Sequence, residues 1–324
     1  MPSVPRPALA RPVRAKVRRA VSALVPAGAL ALVGYLIATR GAALGAALVA
    51  VPPWVLAGAV AAHLLTLVLR TEAWRTVLRA AGGGDVGAQA VHAANAGAFL
   101  AGTLQGQAAL PTRVALLRRF AGEEAPTVSR IALGDAPIVL FEVCSSAVLA
   151  AVGSTAVGLI PSWAPWAMLG GAIAILAALR LLHARFRGHR LAAGLAVLAD
   201  PHLRNRLALI VAGFTAMAFL RTLIVMAGFD LPTDPAHVCL VLFTMGAVGL
   251  LPLGVGTGPA SMVAALGGSA TIVTATAAGM VVSAATVSAV LIYAGAVWLA
   301  RSTLRPDATV PRSPITASAP PEGL

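Results

Sequence analysis

Residues 207–227 form an apolar stretch long enough to cross a bilayer, and Arg221 stands inside it. A guanidinium at mid-membrane depth is costly unless it faces a protein or water-filled interior. A chain with such a segment must therefore enclose polar groups within an apolar shell. Further apolar runs accompany it, in a sequence that is 59% hydrophobic with a mean hydropathy of +0.88. Only 11% of the 324 residues are charged, against roughly a quarter in soluble domains. The expected fold is an all-α polytopic membrane protein with about six transmembrane helices and two broken or re-entrant segments.

The net charge of +13 is not spread evenly. Arg6, Arg11, Arg14, Lys16, Arg18 and Arg19 precede the first apolar run. Arg70, Arg75 and Arg79 form a second cluster, Arg113, Arg118 and Arg119 a third, and Arg301 with Arg305 closes the last run. A further group spans Arg180 to Arg206. Basic residues at the ends of apolar runs mark cytoplasmic sides and attract anionic headgroups. A nucleic-acid module would need a soluble fold between its charges, so no nucleic-acid partner is expected. Cys144 and Cys239 lie in apolar segments without metal or redox spacing. The run 21–39 reads as an uncleaved first span rather than a signal peptide.

Residues 1–20 read as a disordered basic cytoplasmic arm, 21–301 as the transmembrane domain, and 302–324 as a disordered tail. Span two opens at Pro52-Pro53-Trp54 after a short outer connection, 41–51, and closes at Arg70, with Trp74 in a cytoplasmic linker. Segment 89–110 carries His92, Asn95, Thr103, Gln105 and Gln107 between two basic flanks. A hairpin that enters from and returns to the cytoplasm explains both features, since irregular backbone at depth needs cover from protein or water. Spans three to six follow at about 130–152, 166–182, 207–227 and 271–299. Segment 237–268 is broken at Leu251-Pro252-Leu253-Gly254-Val255-Gly256-Thr257-Gly258-Pro259. Two broken segments at matching places in inverted halves point to a transporter's site near the midplane. Two kinked spans would fit the same pattern. Both termini are placed in the cytoplasm, in the plasma membrane.

Arg221 and Glu142 approach the same depth from opposite sides, and Asp135 shares a helical face with Glu142 seven residues away. An Arg221–Glu142 pair is expected, serving either a headgroup or coupling-ion site or a static buried salt bridge. His63, His92 and Asn95 are expected to make interhelical hydrogen bonds. The Gly254–Gly258 run lacks the Gly-Lys-Ser/Thr of a phosphate loop, and no catalytic or metal-binding pattern stands out, so neither enzymatic activity nor a cofactor is expected.

The run Leu110-Pro111-Thr112-Arg113-Val114-Ala115-Leu116-Leu117-Arg118 resembles the LPxRxGExxR signature of the lysylphosphatidylglycerol synthase transmembrane-region family. Asn95 and Phe99 before it add to the likeness. Residues 251–258 are similar to that family's Pro/Gly-rich turn. Here Ala115-Leu116 replaces the family's Gly-Glu, and the second motif lacks its second proline and trailing acidic residue. The resemblance implies a flippase-like domain with broken helices around a central cavity, moving lipids or lipid-linked molecules. Arg113 and Arg118 match the signature arginines, for which it implies headgroup contact. Too few residues follow Arg301 for the synthase domain, so lipid aminoacylation is not expected.

The functional expectation is a lipid or lipid-linked substrate flippase. Arg113, Arg118 and Arg119 would gather an anionic headgroup, Arg221 with Glu142 would form the passage, and Asp135 would complete the site. The contrasting readings are a non-transporting membrane partner of a separate glycosyltransferase or lipid synthase, and an ion-coupled solute carrier.

Overall fold

The computed structural model describes Tyr35 and residues 38–303, apart from 82–85, 123–124, 157, 159–160, 162, 186–191, 250–256 and 269. The basic arm, nearly all of the first expected span, almost the whole C-terminal tail and most of the second Gly/Pro motif lie outside the described residues.

Within them the chain is helical: α1 (Ala38–Val49), α2 (Pro53–Ala80), α3 (Ala88–Leu104), α4 (Ala109–Ala121), α5 (Val128–Leu133), α6 (Asp135–Ala156), α7 (Ala164–Arg185), α8 (Pro201–Gly228), α9 (Pro235–Gly249), α10 (Thr257–Leu266) and α11 (Ile272–Thr303). Proline opens α2 and α8, where its missing N–H costs nothing. Asp200 caps α8 by accepting hydrogen bonds from the backbone N–H groups of His202 (2.8 Å) and Leu203 (3.3 Å).

Four helices are long and apolar enough to cross a membrane: Pro53–Ala80, Val128–Gly153, Pro201–Gly228 and Ile272–Thr303. Only 28–39% of each apolar window is buried, and side chains such as Leu209, Val143 and Leu291 face outward. Water would penalise such a surface and lipid would not, so the chain is a membrane protein. Trp54, Trp163 and Trp166 are also exposed, and stand near one end of the bundle.

The bundle is built on α2 and α8, which pack antiparallel. Val55 lies against Gly228, Gly58 against Ile224, His63 on Arg221 and Leu69 against Gly213. Helix α11 runs parallel to α2, tied to it through Arg221 at Thr286 and through Thr71 at Tyr293. Helix α6 runs the other way, with Glu142 beside Arg70 and Gly153 against Ala236 and Leu240 of α9. Between the spans lie two helical hairpins, α3–α4 and α9–α10. In the first, Gly97 meets Leu116 and Gly102 meets Ala109 across a turn that includes a short 3₁₀ helix, Gly106–Ala108.

The element order repeats. Helices α8, α9, α10 and α11 begin at residues 201, 235, 257 and 272, which is 148, 147, 148 and 144 residues after α2, α3, α4 and α5 at 53, 88, 109 and 128. Packing repeats with it: the first hairpin leans on α11 through α3, and the second leans on α6 through α9.

Most buried apolar side chains gather at the two ends, and a third, smaller cluster holds Leu67, Ala96, Val290 and Tyr293. Trp74, Leu117, Ile131, Leu198 and Leu207 fill one end, and Val55, Phe229, Val238 and Met262 fill the other. The first end also carries Arg75, Arg79, Arg118, Arg119, Arg130, Arg204 and Arg301, whereas the second has Asp230 and Asp234.

Two expectations need correction. Helix α2 does not close at Arg70 but continues to Ala80, and Trp74 is buried rather than in a linker. No Gly or Pro breaks the helix between the two, and Arg75 supports it by an i,i+3 pair to Glu72 at 3.3 Å. Residues 38–49, expected as the end of span one and a short connection, are helical, and Leu44 packs into the second cluster.

Candidate functional site

A cavity of about 500 Å³ lies between the apolar clusters at the two ends. Its wall includes His63, Thr66, Leu67 and Arg70 of α2 and Val282, Ser283, Thr286, Val287 and Val290 of α11. Both groups sit near the middle of their helices, so the cavity is at mid-height of the bundle. Each hairpin brings the ends of its two limbs to this wall. Gly102 and Thr103 end α3 and Ala109 begins α4, while Met245 and Gly246 end α9 and Thr257 and Gly258 begin α10. Gly258 must be small, because a Cβ there would collide with the Gly279 carbonyl and lie 2.5 Å from Ser283 Oγ.

Three arginines share this cavity. Arg113 donates from Nη1 to both carboxylate oxygens of Asp135 at 2.6 Å, and its guanidinium lies 5.0 Å over the Trp74 ring. Arg70 pairs with Glu142 at 2.8 Å. Arg221 meets neutral or hydroxyl partners: its Nη1 lies 2.9 Å from His63 Nδ1 and 3.2 Å from Thr286 Oγ1. The imidazole nitrogen facing a guanidinium must accept, so His63 carries its proton on Nε2. Thr286 can accept from Arg221 because its own hydroxyl donates to the Val282 carbonyl at 2.9 Å.

Among the described residues, two carboxylates thus face three guanidinium groups. The Nε atoms of Arg113 and Arg221 are buried without a hydrogen-bond partner among the described residues. An unpaired buried donor on a cation is costly, and an anion would satisfy it. A negatively charged group in the cavity would match this excess of positive charge at mid-height of the bundle.

The expected Arg221–Glu142 pair does not form. Arg70 lies two turns below His63 on α2, on the side where α6 passes, and takes the Glu142 carboxylate. Asp135 likewise belongs to Arg113. The shared face of Asp135 and Glu142 is real, but it meets two arginines from α4 and α2. Arg118 and Arg119 lie exposed in the last turn of α4, away from the cavity. Of the three basic residues in that cluster, the helix turns only Arg113 inward.

Arg70, His63 and Thr286 were not recognised as cavity residues from the sequence. The signal was present: His63, Thr66 and Arg70 recur at i, i+3 and i+7, a polar stripe on an otherwise apolar helix. His92 does make the expected interhelical bonds, to Tyr293 and Glu72, whereas the buried Asn95 amide has no partner among the described residues. Comparison with family models, curated proteins and solved structures finds no match.

Proposed function

We propose that this chain is a multi-pass plasma-membrane flippase or transporter that carries lipids or lipid-linked substrates by an anionic headgroup. The observation that carries this reading is the mid-height cavity in which Arg221 has no carboxylate partner among the described residues. A purely structural guanidinium at that depth would be cheaper if paired or replaced by an apolar residue. One held by a neutral imidazole and a hydroxyl keeps its charge available to a ligand.

The repeating element order supports an inverted-repeat transporter. In this reading α3–α4 and α9–α10 are re-entrant hairpins from opposite faces, and their tips meet at the substrate site. Helix α7 supplies the return crossing that α6 and α8 require, since both run from the basic end to the acidic one. The basic end faces the cytoplasm, with both termini there, and its exposed Arg118 and Arg119 draw anionic lipid towards the cavity. The likeness of residues 110–118 to the flippase-like signature agrees, with Arg113 as the signature arginine that reaches the cavity.

The test is lipid movement by the purified protein in liposomes, with labelled anionic, zwitterionic and polyprenyl-phosphate lipids. Movement of an anionic class is expected, and Arg221→Ala should slow it at least about tenfold, or ~1.4 kcal/mol in barrier. A well-folded wild type that moves none of them would sink the reading and favour a non-transporting membrane partner.

A further inference from the structure

One polar chain is unrelated to the arginine wall. Glu72 Oε1 lies 3.1 Å from His92 Nε2, and His92 Nδ1 lies 2.7 Å from Tyr293 Oη. Tyr293 Oη is 3.0 Å from Thr71 Oγ1, which is 2.9 Å from the Leu67 carbonyl oxygen. The chain joins α2, α3 and α11 and makes four contacts, each of which needs one hydrogen.

When all four contacts hold a hydrogen, the two ends fix the direction of every bond. A carboxylate at one end and a carbonyl at the other can only accept. A neutral imidazole brings one N–H, and Tyr293 and Thr71 bring one O–H each, so one contact goes without a hydrogen. A doubly protonated ring fills all four. Nε2–H donates to Glu72 and Nδ1–H to Tyr293, whose hydroxyl donates to Thr71, whose hydroxyl donates to Leu67.

We propose that His92, held between Glu72 and Tyr293, is a proton-binding site at the joint where the first hairpin meets α2 and α11. The ligand is a single proton, taken up on the imidazole and released from it. Among the described residues, the titratable groups in contact with it are Glu72 of α2, which also pairs with Arg75, and Tyr293 of α11, while α4 presents Leu116 and Thr112 to the same helix. The side chains of His92 and Glu72 are 23% and 26% exposed, which leaves the site open to protons. On the other side, Leu67 lines the cavity, and so does Phe99, whose ring lies 6.0 Å from that of Tyr293. Release of the proton removes a hydrogen bond from the joint that fixes α3, the helix whose end forms part of the cavity wall. Proton occupancy and cavity shape are therefore linked, whatever the cavity carries.

The test is ¹⁵N NMR of the full chain in detergent micelles at pH 7.5 with labelled histidine, the His92 signals being assigned by their loss in His92→Gln. A free imidazole is mostly neutral at that pH. The expected result is that both ring nitrogens of His92 carry protons, and that Glu72→Gln sharply lowers the doubly protonated fraction. Tyr293→Phe, which keeps the ring and removes only the acceptor, should lower it as well. A singly protonated His92 in the wild type would overturn the proposal. So would a doubly protonated fraction that neither variant changes in monodisperse protein.

Discussion

At the scale of single residues, the site is defined by how charges are shared. Arg113 and Asp135 are held more tightly than any other ion pair in the cavity, with a guanidinium stacked on Trp74 behind them. Removing either partner leaves a charge in low dielectric. Arg113→Met and Asp135→Asn should each destabilise by about 2–4 kcal/mol, discounted from a fully buried pair because Asp135 is a quarter exposed. The double variant should cost at least ~1 kcal/mol less than the sum, read as thermal unfolding of monodisperse protein in detergent. Additive losses would mean that the two do not support each other. Arg221 was legible because a charge inside an apolar run has no cheap explanation. Arg70 was not, because an arginine near the expected end of a span looks like an ordinary flank. What hid it was the length of α2, whose ten residues beyond Arg70 carry Glu72, Arg75 and Arg79 and lower its apparent hydropathy.

At the scale of elements, close approach depends on a few glycines. Gly279 of α11 is pressed against the backbone of Gly258 and Pro259 at the start of α10, where no flexible side chain can yield to an added Cβ. Gly295, four turns later on the same helix, has nothing near its Cβ position. Gly279→Ala should therefore destabilise by about 1–3 kcal/mol through overpacking. Gly295→Ala should stabilise by about 0.5–1 kcal/mol by stiffening the unfolded chain. Equal shifts in the unfolding temperature would show that the second hairpin is not seated on α11 in this way. The interruption of the first polar segment was legible, since His92, Asn95, Gln105 and Gln107 do not suit a lipid-facing helix. Ala88–Leu104 forms a single helix, however, and the hairpin closes through α4 rather than within 89–110. The returning limb was not legible, because α4 carries three arginines and reads as a cytoplasmic cluster. Only the helical turn separates Arg113, facing in, from Arg118 and Arg119, facing out. The second hairpin was visible as a Gly/Pro break between apolar halves, and its limbs α9 and α10 flank residues 250–256.

At the scale of the whole molecule, the two halves share an order of elements without sharing a sequence. His63 and Arg70 of α2 correspond in position to Val211 and Ala218 of α8, so the repeat preserves the order of elements while the two halves contribute different polar residues to the site. That division explains why the repeat could be sensed from charge placement and from paired breaks, yet the pairing of individual charges could not. The proposed function carries a topology with it. In that reading the antiparallel α2 and α8 belong to halves that face opposite sides of the membrane, and the arginine-rich end is the cytoplasmic one. In a variant with Cys144 and Cys239 replaced by alanine, Asp234→Cys should react with a membrane-impermeant maleimide on intact cells. Ser129→Cys, exposed in the first turn of α5 at the basic end, should react only after the membrane is opened. The reverse pattern would invert the protein in the bilayer and place Arg118 and Arg119 outside, where the inner leaflet's anionic lipids could not be drawn in by them. Labelling of both from outside would be more damaging, because α6 and α8 could not then run from one face to the other, and the mid-height position of the three arginines would lose its meaning.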